Sequence, residues 1–208
     1  MIKSIIWDMD GTLVNSGTMI SNTINYVREN IGLERLDKKL ILEQVNNPDI
    51  NSSEYFYGTT YFTDKQTKLF GEYYNENCVK EVELYEGIEY ILNKYSDKLT
   101  MHIATNAHDN FAHKILEHLN IKDHFINIIG SNNVKKPKPD PEMIHKVIND
   151  CKYDYNNYLV IGDSHKDIQA ASNAGINSIL VNWGFSDHLD NDIDSITKLE
   201  EEILKHIT

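Results

Sequence analysis

The chain has 208 residues, 40% apolar and 25% charged, enough for one or two domains with a full hydrophobic core. Twenty basic against 32 acidic residues leave a formal charge of −12, which disfavours nonspecific binding to nucleic acid or an anionic membrane surface but not a small anion held in a local positive pocket. The two cysteines, Cys78 and Cys151, have no metal or redox spacing, no apolar run approaches the roughly 18 residues of a bilayer span, and Ile5-Ile6-Trp7 is too short for a signal peptide, so a reducing, cytoplasmic setting is expected.

The first predicted element is a β-branched, aromatic run from Lys3 to Trp7 that ends in Asp8-Met9-Asp10-Gly11-Thr12, a buried strand with acids at its C-terminal end. Residues 15–84 then show helical periodicity (Ile20, Ile24, Val27 and Ile31; Leu36, Leu40 and Ile41; Leu69, Tyr73 and Tyr74) and no convincing strand. An all-helical insert after the first strand is the simplest reading, with a loop at Asn46-Asn47-Pro48. From Leu84 onward short apolar runs alternate with helical stripes. The runs are 99–105, 125–129, 158–161 and 178–181; the stripes are Ile88, Ile91, Leu92 and Tyr95, then Phe111, Ile115, Leu116 and Leu119, then Met143, Ile144, Val147 and Ile148. That alternation predicts βαβ units: an α/β fold with a doubly wound parallel sheet covered on both faces. The expected division is residues 1–14 and 85–208 as the core, and 15–84 as the insert.

Four constellations fall at predicted strand ends, the edge where open α/β sheets bind ligands. Asp8 and Asp10 are paired carboxylates suited to nucleophilic attack and proton transfer, although an exposed Asp-Gly turn also fits them. Thr105-Asn106 suits a phosphate oxygen, although taken alone the pair reads more simply as a helix N-cap. Lys135-Lys136-Pro137-Lys138-Pro139-Asp140-Pro141 is a positive spot in an acidic chain, able to neutralise a phosphoryl group or simply to form a solvated loop. Gly162-Asp163-Ser164-His165-Lys166-Asp167 offers hard oxygen ligands, with macrodipole pairing at a helix start the alternative for Asp167. Gathered at one edge, Asp8, Asp10, Asp163 and Asp167 would repel one another without a cation, so a metal and a balancing lysine are implied.

In this order the motifs resemble those of the haloacid dehalogenase-like superfamily of phosphohydrolases, over a match from Lys3 to about Phe185. DxDGT is Asp8-Met9-Asp10-Gly11-Thr12; the second motif is Thr105-Asn106; the lysine of a K-P-x-P run is placed at Lys136 rather than Lys135 or Lys138; GDSxxD is 162–167. Leu84-Tyr85-Glu86-Gly87-Ile88 and Asn182-Trp183-Gly184 resemble the phosphoglycolate phosphatase-like branch. The resemblance implies a Rossmann-like core whose helical insert is a cap closing over the site. It also implies a Mg2+-dependent phosphatase acting on a small phosphorylated metabolite through an aspartyl-phosphate. By the same resemblance Asp8 is the nucleophile and Asp10 the general acid/base. Thr105, Asn106 and Lys136 bind the phosphoryl group; Asp8, Asp10 (through its backbone carbonyl) and Asp163 hold Mg2+, with Asp167 supporting them. Ala107 stands where this branch often has a lysine, and the expected specificity loop, Gln44 to Asp49, lacks the usual glycine. A phosphomutase of the beta-phosphoglucomutase type, a pyrophosphatase, a dehalogenase and a phospho-aspartate signalling switch are the alternatives.

Among other residues, the aromatics Tyr55-Phe56-Tyr57, Tyr61-Phe62, Phe70, Tyr73 and Tyr74 are expected to build the insert's own core rather than line a substrate cavity. His108, His113 and His118 are spaced by five, off the register of a shared metal face, and His165 is expected to be exposed at a helix start. Asp187, Asp190, Asp192 and Asp194 are expected in a solvated loop before a last helix from Ser195 to about His206.

Overall fold

Ser4–Trp7 forms strand β1, and its four side chains are all buried because neighbours lie on both sides of it. It pairs in parallel with β4 (Thr100–Ala104) and with β6 (Tyr158–Gly162), so that Ile5 stands beside Met101 and Leu159, and Trp7 beside Ile103 and Ile161. The computed structural model describes residues 1–47, 49–151, 153–185 and 193–207; Pro48 and the acidic residues Asp187, Asp190 and Asp192 lie outside the described residues. With β5 (Asn127–Ile129) and β7 (Asn177–Leu180) the sheet has five parallel strands in the order β5-β4-β1-β6-β7.

Side-chain alternation along the strands sends residues to two apolar layers. Ile5, Trp7, Met101, Ile103, Leu159 and Ile161 face one layer with α5 (Ile88–Tyr95), α6 (Asp109–His118) and α9 (Ile196–Ile207). Ile6, Ala104, Tyr158 and Val160 face the other with α7 (Glu142–Cys151) and α8 (His165–Ala174). The doubly wound sheet expected from the sequence is thus present. The chain leaves β1 for β4 on one side and later returns to β6 on the other, so the order reverses at β1. The crevice that such a reversal opens at the strands' C-terminal ends is where a ligand fits.

The insert holds four helices, α1 (Gly17–Asn30), α2 (Lys38–Val45), α3 (Ser52–Tyr57) and α4 (Asp64–Asn77). Asp37, Asn51 and Thr63 cap α2, α3 and α4 with their side chains, and Gln66 completes a capping box at α4. Ile24, Val27, Ile41, Phe56 and Tyr57 form a separate apolar cluster among these helices. Two strands of two residues each flank the insert: β2 (Val14–Asn15) pairs antiparallel with β3 (Glu83–Leu84), bringing the ends of the helical segment together. The sequence reading found no strand there because two residues carry no periodicity. Of the aromatics, Phe56 and Tyr57 lie in the insert's core as expected, whereas Tyr61 is 81% exposed. No helix among the described residues is long and apolar enough to cross a membrane.

Candidate active site

The acids after β1 are placed by a tight turn. Asp8 donates its backbone N–H to the Ile161 carbonyl of β6, and the backbone N–H groups of Leu13 and Val14 return to the Met9 carbonyl. Gly11 sits at φ +90° with no room for a side chain: a Cβ there would lie 2.2 Å from Asp163 Oδ2. Gly162 at the end of β6 is equally constrained, because a Cβ would lie 2.4 Å from Asp167 Cβ. These two glycines let the loop after β1 and the start of α8 converge.

Asp8, Asp163 and Asp167 are all buried, and each offers a carboxylate oxygen within 4.8 Å of the others'. The positive charge among them belongs to Lys138. Its Nζ donates to Asp8 Oδ1 at 2.6 Å and to Asp167 Oδ1 at 2.5 Å, with the side chain only 4% exposed. Lys136 is exposed, and its backbone N–H donates to the Glu142 carboxylate. The lysine that reaches the acids is therefore Lys138, not Lys136. The run satisfies K-P-x-P twice, as 136–139 and as 138–141, and the first frame was the wrong one. Asn106 selects between them physically: its Nδ2 donates to the Lys138 carbonyl and its Oδ1 accepts from the Lys138 N–H, both at 3.0 Å, which turns that lysine inward.

Burial raises Asp8 to about 7 against the opposing pull of the Lys138 ammonium, with Asp167 adding repulsion. Asp163 is raised well above the usual carboxylate range, first by burial and then by Asp8 and Asp167. For Lys138, burial alone would disfavour the ammonium, but Asp167 and Asp8 outweigh it and the group is held protonated. Asp10 is raised by burial, and the Ser16 hydroxyl, donating to Asp10 Oδ1 at 2.5 Å, opposes the rise. Ser16 stands at the N-cap of α1 but makes no capping bond; its hydroxyl serves Asp10 instead. The sequence reading missed Ser16 because a serine before a helix looks like an ordinary cap. Thr105 is buried beside them: its Oγ1 accepts from the Ala107 N–H, and its proximity slightly opposes the rise at Asp10.

A divalent cation fits this donor set. Asp163 Oδ2 is buried without a hydrogen-bond partner, and the Thr12 hydroxyl, 3.4 Å from both Asp8 Oδ2 and Asp163 Oδ1, is too distant to satisfy either well. Asp167 is committed elsewhere: Oδ1 takes Lys138, and Oδ2 accepts from the Ser164 N–H and hydroxyl.

A cavity of about 450 Å³ opens above these groups; Asp8, Asp10, Thr105, Asn106, Lys138, Asp163 and Asp167 meet it from the core, and Val45, Asn46, Phe70 and Tyr74 from the insert. Phe70 and Tyr74 thus line the cavity, against the expectation that the insert's aromatics serve only its core. Val45 and Asn46 lie in the stretch expected as the specificity loop. His108 also lines the cavity, whereas His165 is exposed at the start of α8 and does not.

A parallel sheet carrying acids, a threonine and an inward lysine on one edge, beneath an inserted helical cap, defines a haloacid dehalogenase-like hydrolase. The chain belongs to that family, whose pattern matches residues 5–181, as a hydrolase of the phosphatase type. It is 28% identical over 195 residues to a phosphoglycolate phosphatase of Aquifex aeolicus, covering 88% of this chain and 86% of that one. It is 24% identical over 198 residues to the N-acetylmuramic acid 6-phosphate phosphatase of Pseudomonas putida, covering 91% and 87%. The crystal structure of a predicted phosphatase from Clostridium acetobutylicum shares the fold with a TM-score of 0.86 at 22% identity, covering 99% of both chains.

Proposed function

We propose that the protein hydrolyses a small phosphate monoester in two steps through a phosphorylated Asp8. The observation that carries this reading is the placement of Asp8, which shares the Lys138 ammonium with Asp167 beside the unpartnered oxygen of Asp163. In the first step an Asp8 oxygen attacks phosphorus and the ester P–O bond breaks. Asp10, whose carboxyl burial biases toward the protonated form, gives its proton to the departing alkoxide. In the second step Asp10 takes a proton from water as the water oxygen attacks phosphorus, and Asp8 is released as a carboxylate. Lys138 holds Asp8 in place and offsets charge on the phosphoryl oxygens, with Thr105 as a further donor. Asn106 acts by fixing Lys138 and so is a positioning residue.

Mg2+ is the cation proposed, held by Asp8, the backbone carbonyl of Asp10 and Asp163, while Asp167 orients Lys138 and the start of α8 rather than ligating. When bound, it neutralises the carboxylates and the phosphoryl oxygens. Residues 15–84 are proposed as a cap that excludes water during transfer and shapes the site for its substrate. A cytoplasmic location is part of the same proposal.

The test is phosphate release from a panel of phosphorylated metabolites. Turnover with Mg2+, lost on chelation and restored by adding it back, is expected, together with no turnover by Asp8→Asn. Wild-type rates in Asp8→Asn would overturn the assignment.

A further inference from the structure

The walls of the cavity say what the alcohol half of the substrate looks like. Besides the acids, the cavity is lined by Ile20 and Ile24 of α1, Phe70 and Tyr74 of α4, and Phe111 of α6. Among the described lining residues the lysines are Lys138, already bonded to Asp8 and Asp167, and Lys166, which is also engaged and makes a long contact of 3.4 Å to the Val45 carbonyl. The chain has two arginines, and both bond elsewhere in the insert: Arg28 to the Glu34 and Phe56 carbonyls, Arg35 to Glu29. A second anionic group on the substrate would lose its water against these apolar walls beside a cluster of four aspartates, and among the described lining residues it would meet, besides the two engaged lysines, the His108 imidazole and the amides of Asn46 and Asn110.

Space points the same way. A volume of 450 Å³ corresponds to about fifteen waters. Beyond it lies a second cavity of about 280 Å³, walled by Phe56, Tyr57 and Phe62 and sharing Ile24, Val45, Thr67 and Phe70 with the first. Phe70 lines both cavities, so the apolar surface beside the phosphate site continues into the second.

We infer that the preferred substrates are phosphate monoesters of an uncharged, largely apolar alcohol, rather than carboxylate-bearing phosphates of the phosphoglycolate kind. The inference rests on the phosphatase reading above and narrows it. Apolar burial favours such a leaving group, and specificity follows from what the walls reject as much as from what they hold.

The experiment compares kcat/KM for 2-phenylethyl phosphate and 2-phosphoglycolate in the 208-residue protein with Mg2+. Both release a primary alkoxide, so intrinsic leaving ability does not set the order. At least a tenfold preference for 2-phenylethyl phosphate is expected. The exposed Thr67, on the wall common to both cavities, supplies the second arm. Thr67→Arg places a guanidinium there and is expected to shrink the preference at least tenfold; an unchanged ratio would refute the missing cation as its cause. Equal or faster turnover of phosphoglycolate by the wild type would overturn the inference and leave the phosphatase reading intact. Hydrolysis of neither ester, nor of any other monoester, would sink that reading and the inference with it.

Discussion

Replacing Lys138 by methionine keeps the aliphatic stem and removes one buried charge. In the folded protein that ammonium makes hydrogen bonds of 2.6 and 2.5 Å to two carboxylates that are 9% and 2% exposed. Breaking a buried ion pair by removing one partner costs about 3–5 kcal/mol, because the remaining charges are stranded. Here Asp8 escapes part of that cost by taking up a proton, since burial already raises it to about 7. The stability loss in urea unfolding is therefore expected to be about 3–5 kcal/mol at alkaline pH and smaller under mildly acidic conditions. Turnover suffers separately: losing a preorganised positive group aimed at the transferring phosphoryl oxygens is expected to lower kcat about 10²–10³-fold. Lys136→Met is the matched control. Its side chain is exposed, so stability should stay within about 0.5 kcal/mol and kcat within about twofold. Phosphate-release rates and urea unfolding of the two variants settle the matter. A Lys136→Met enzyme that is inactive beside an active Lys138→Met would refute the reasoning.

Three further outcomes follow from the same geometry. Ser16→Ala removes the hydroxyl that holds Asp10 down, so the alkaline limb of the pH–rate profile, where the Asp10 acid loses its proton, should move to higher pH and kcat fall about tenfold, as for a lost hydrogen bond to a charged group; an unmoved limb would remove Ser16 from the proton-transfer machinery. Gly162→Ala drives a Cβ into Asp167 and should cost about 1–3 kcal/mol in thermal or urea unfolding while also lowering kcat, because Asp167 positions Lys138; wild-type stability and rate would contradict the close approach. His102 is buried, with Nδ1 unpartnered and Nε2 3.5 Å from Cys151 Sγ, and burial lowers it from 6.5 to about 4 against an opposing pull from Asp150. The unfolded chain binds that proton first, so this contribution to stability is complete above 6.5 and is lost as pH falls from 6.5 to about 4, by about 3 kcal/mol. Urea unfolding of wild type and His102→Leu near neutral and near pH 4.5 reads it; equal acid sensitivity in both would exclude His102 as the source.

The sheet was legible because its strands are short, apolar and separated by helical stripes: Ile5 to Trp7, Met101 to Ala104 and Tyr158 to Ile161 lie where the pattern placed them. The positions of Asp8, Asp163 and Asp167 followed from their location at strand ends, since a parallel sheet brings those ends together. The identity of the lysine did not, because K-P-K-P-D-P offers two frames and only the Asn106 clamp, distant in sequence, distinguishes them. Ser16 was hidden by its resemblance to an N-cap. Phe70 and Tyr74 were hidden because a helix carrying aromatics on its buried side does not reveal whether that side meets protein or a cavity. The β2–β3 pair was invisible because two residues have no period.

The most direct measurement is chemical trapping of the enzyme during turnover. The reaction is quenched in acid, treated with hydroxylamine and mapped by peptide mass spectrometry, which converts an acyl-phosphate into a hydroxamate at the residue that carried it. A hydroxamate on Asp8, absent without substrate and absent in Asp8→Asn, is the expected result. Steady phosphate release with no modification at Asp8, or with the mark on Asp10 or Asp163 instead, would contradict the assignment on which the mechanism rests.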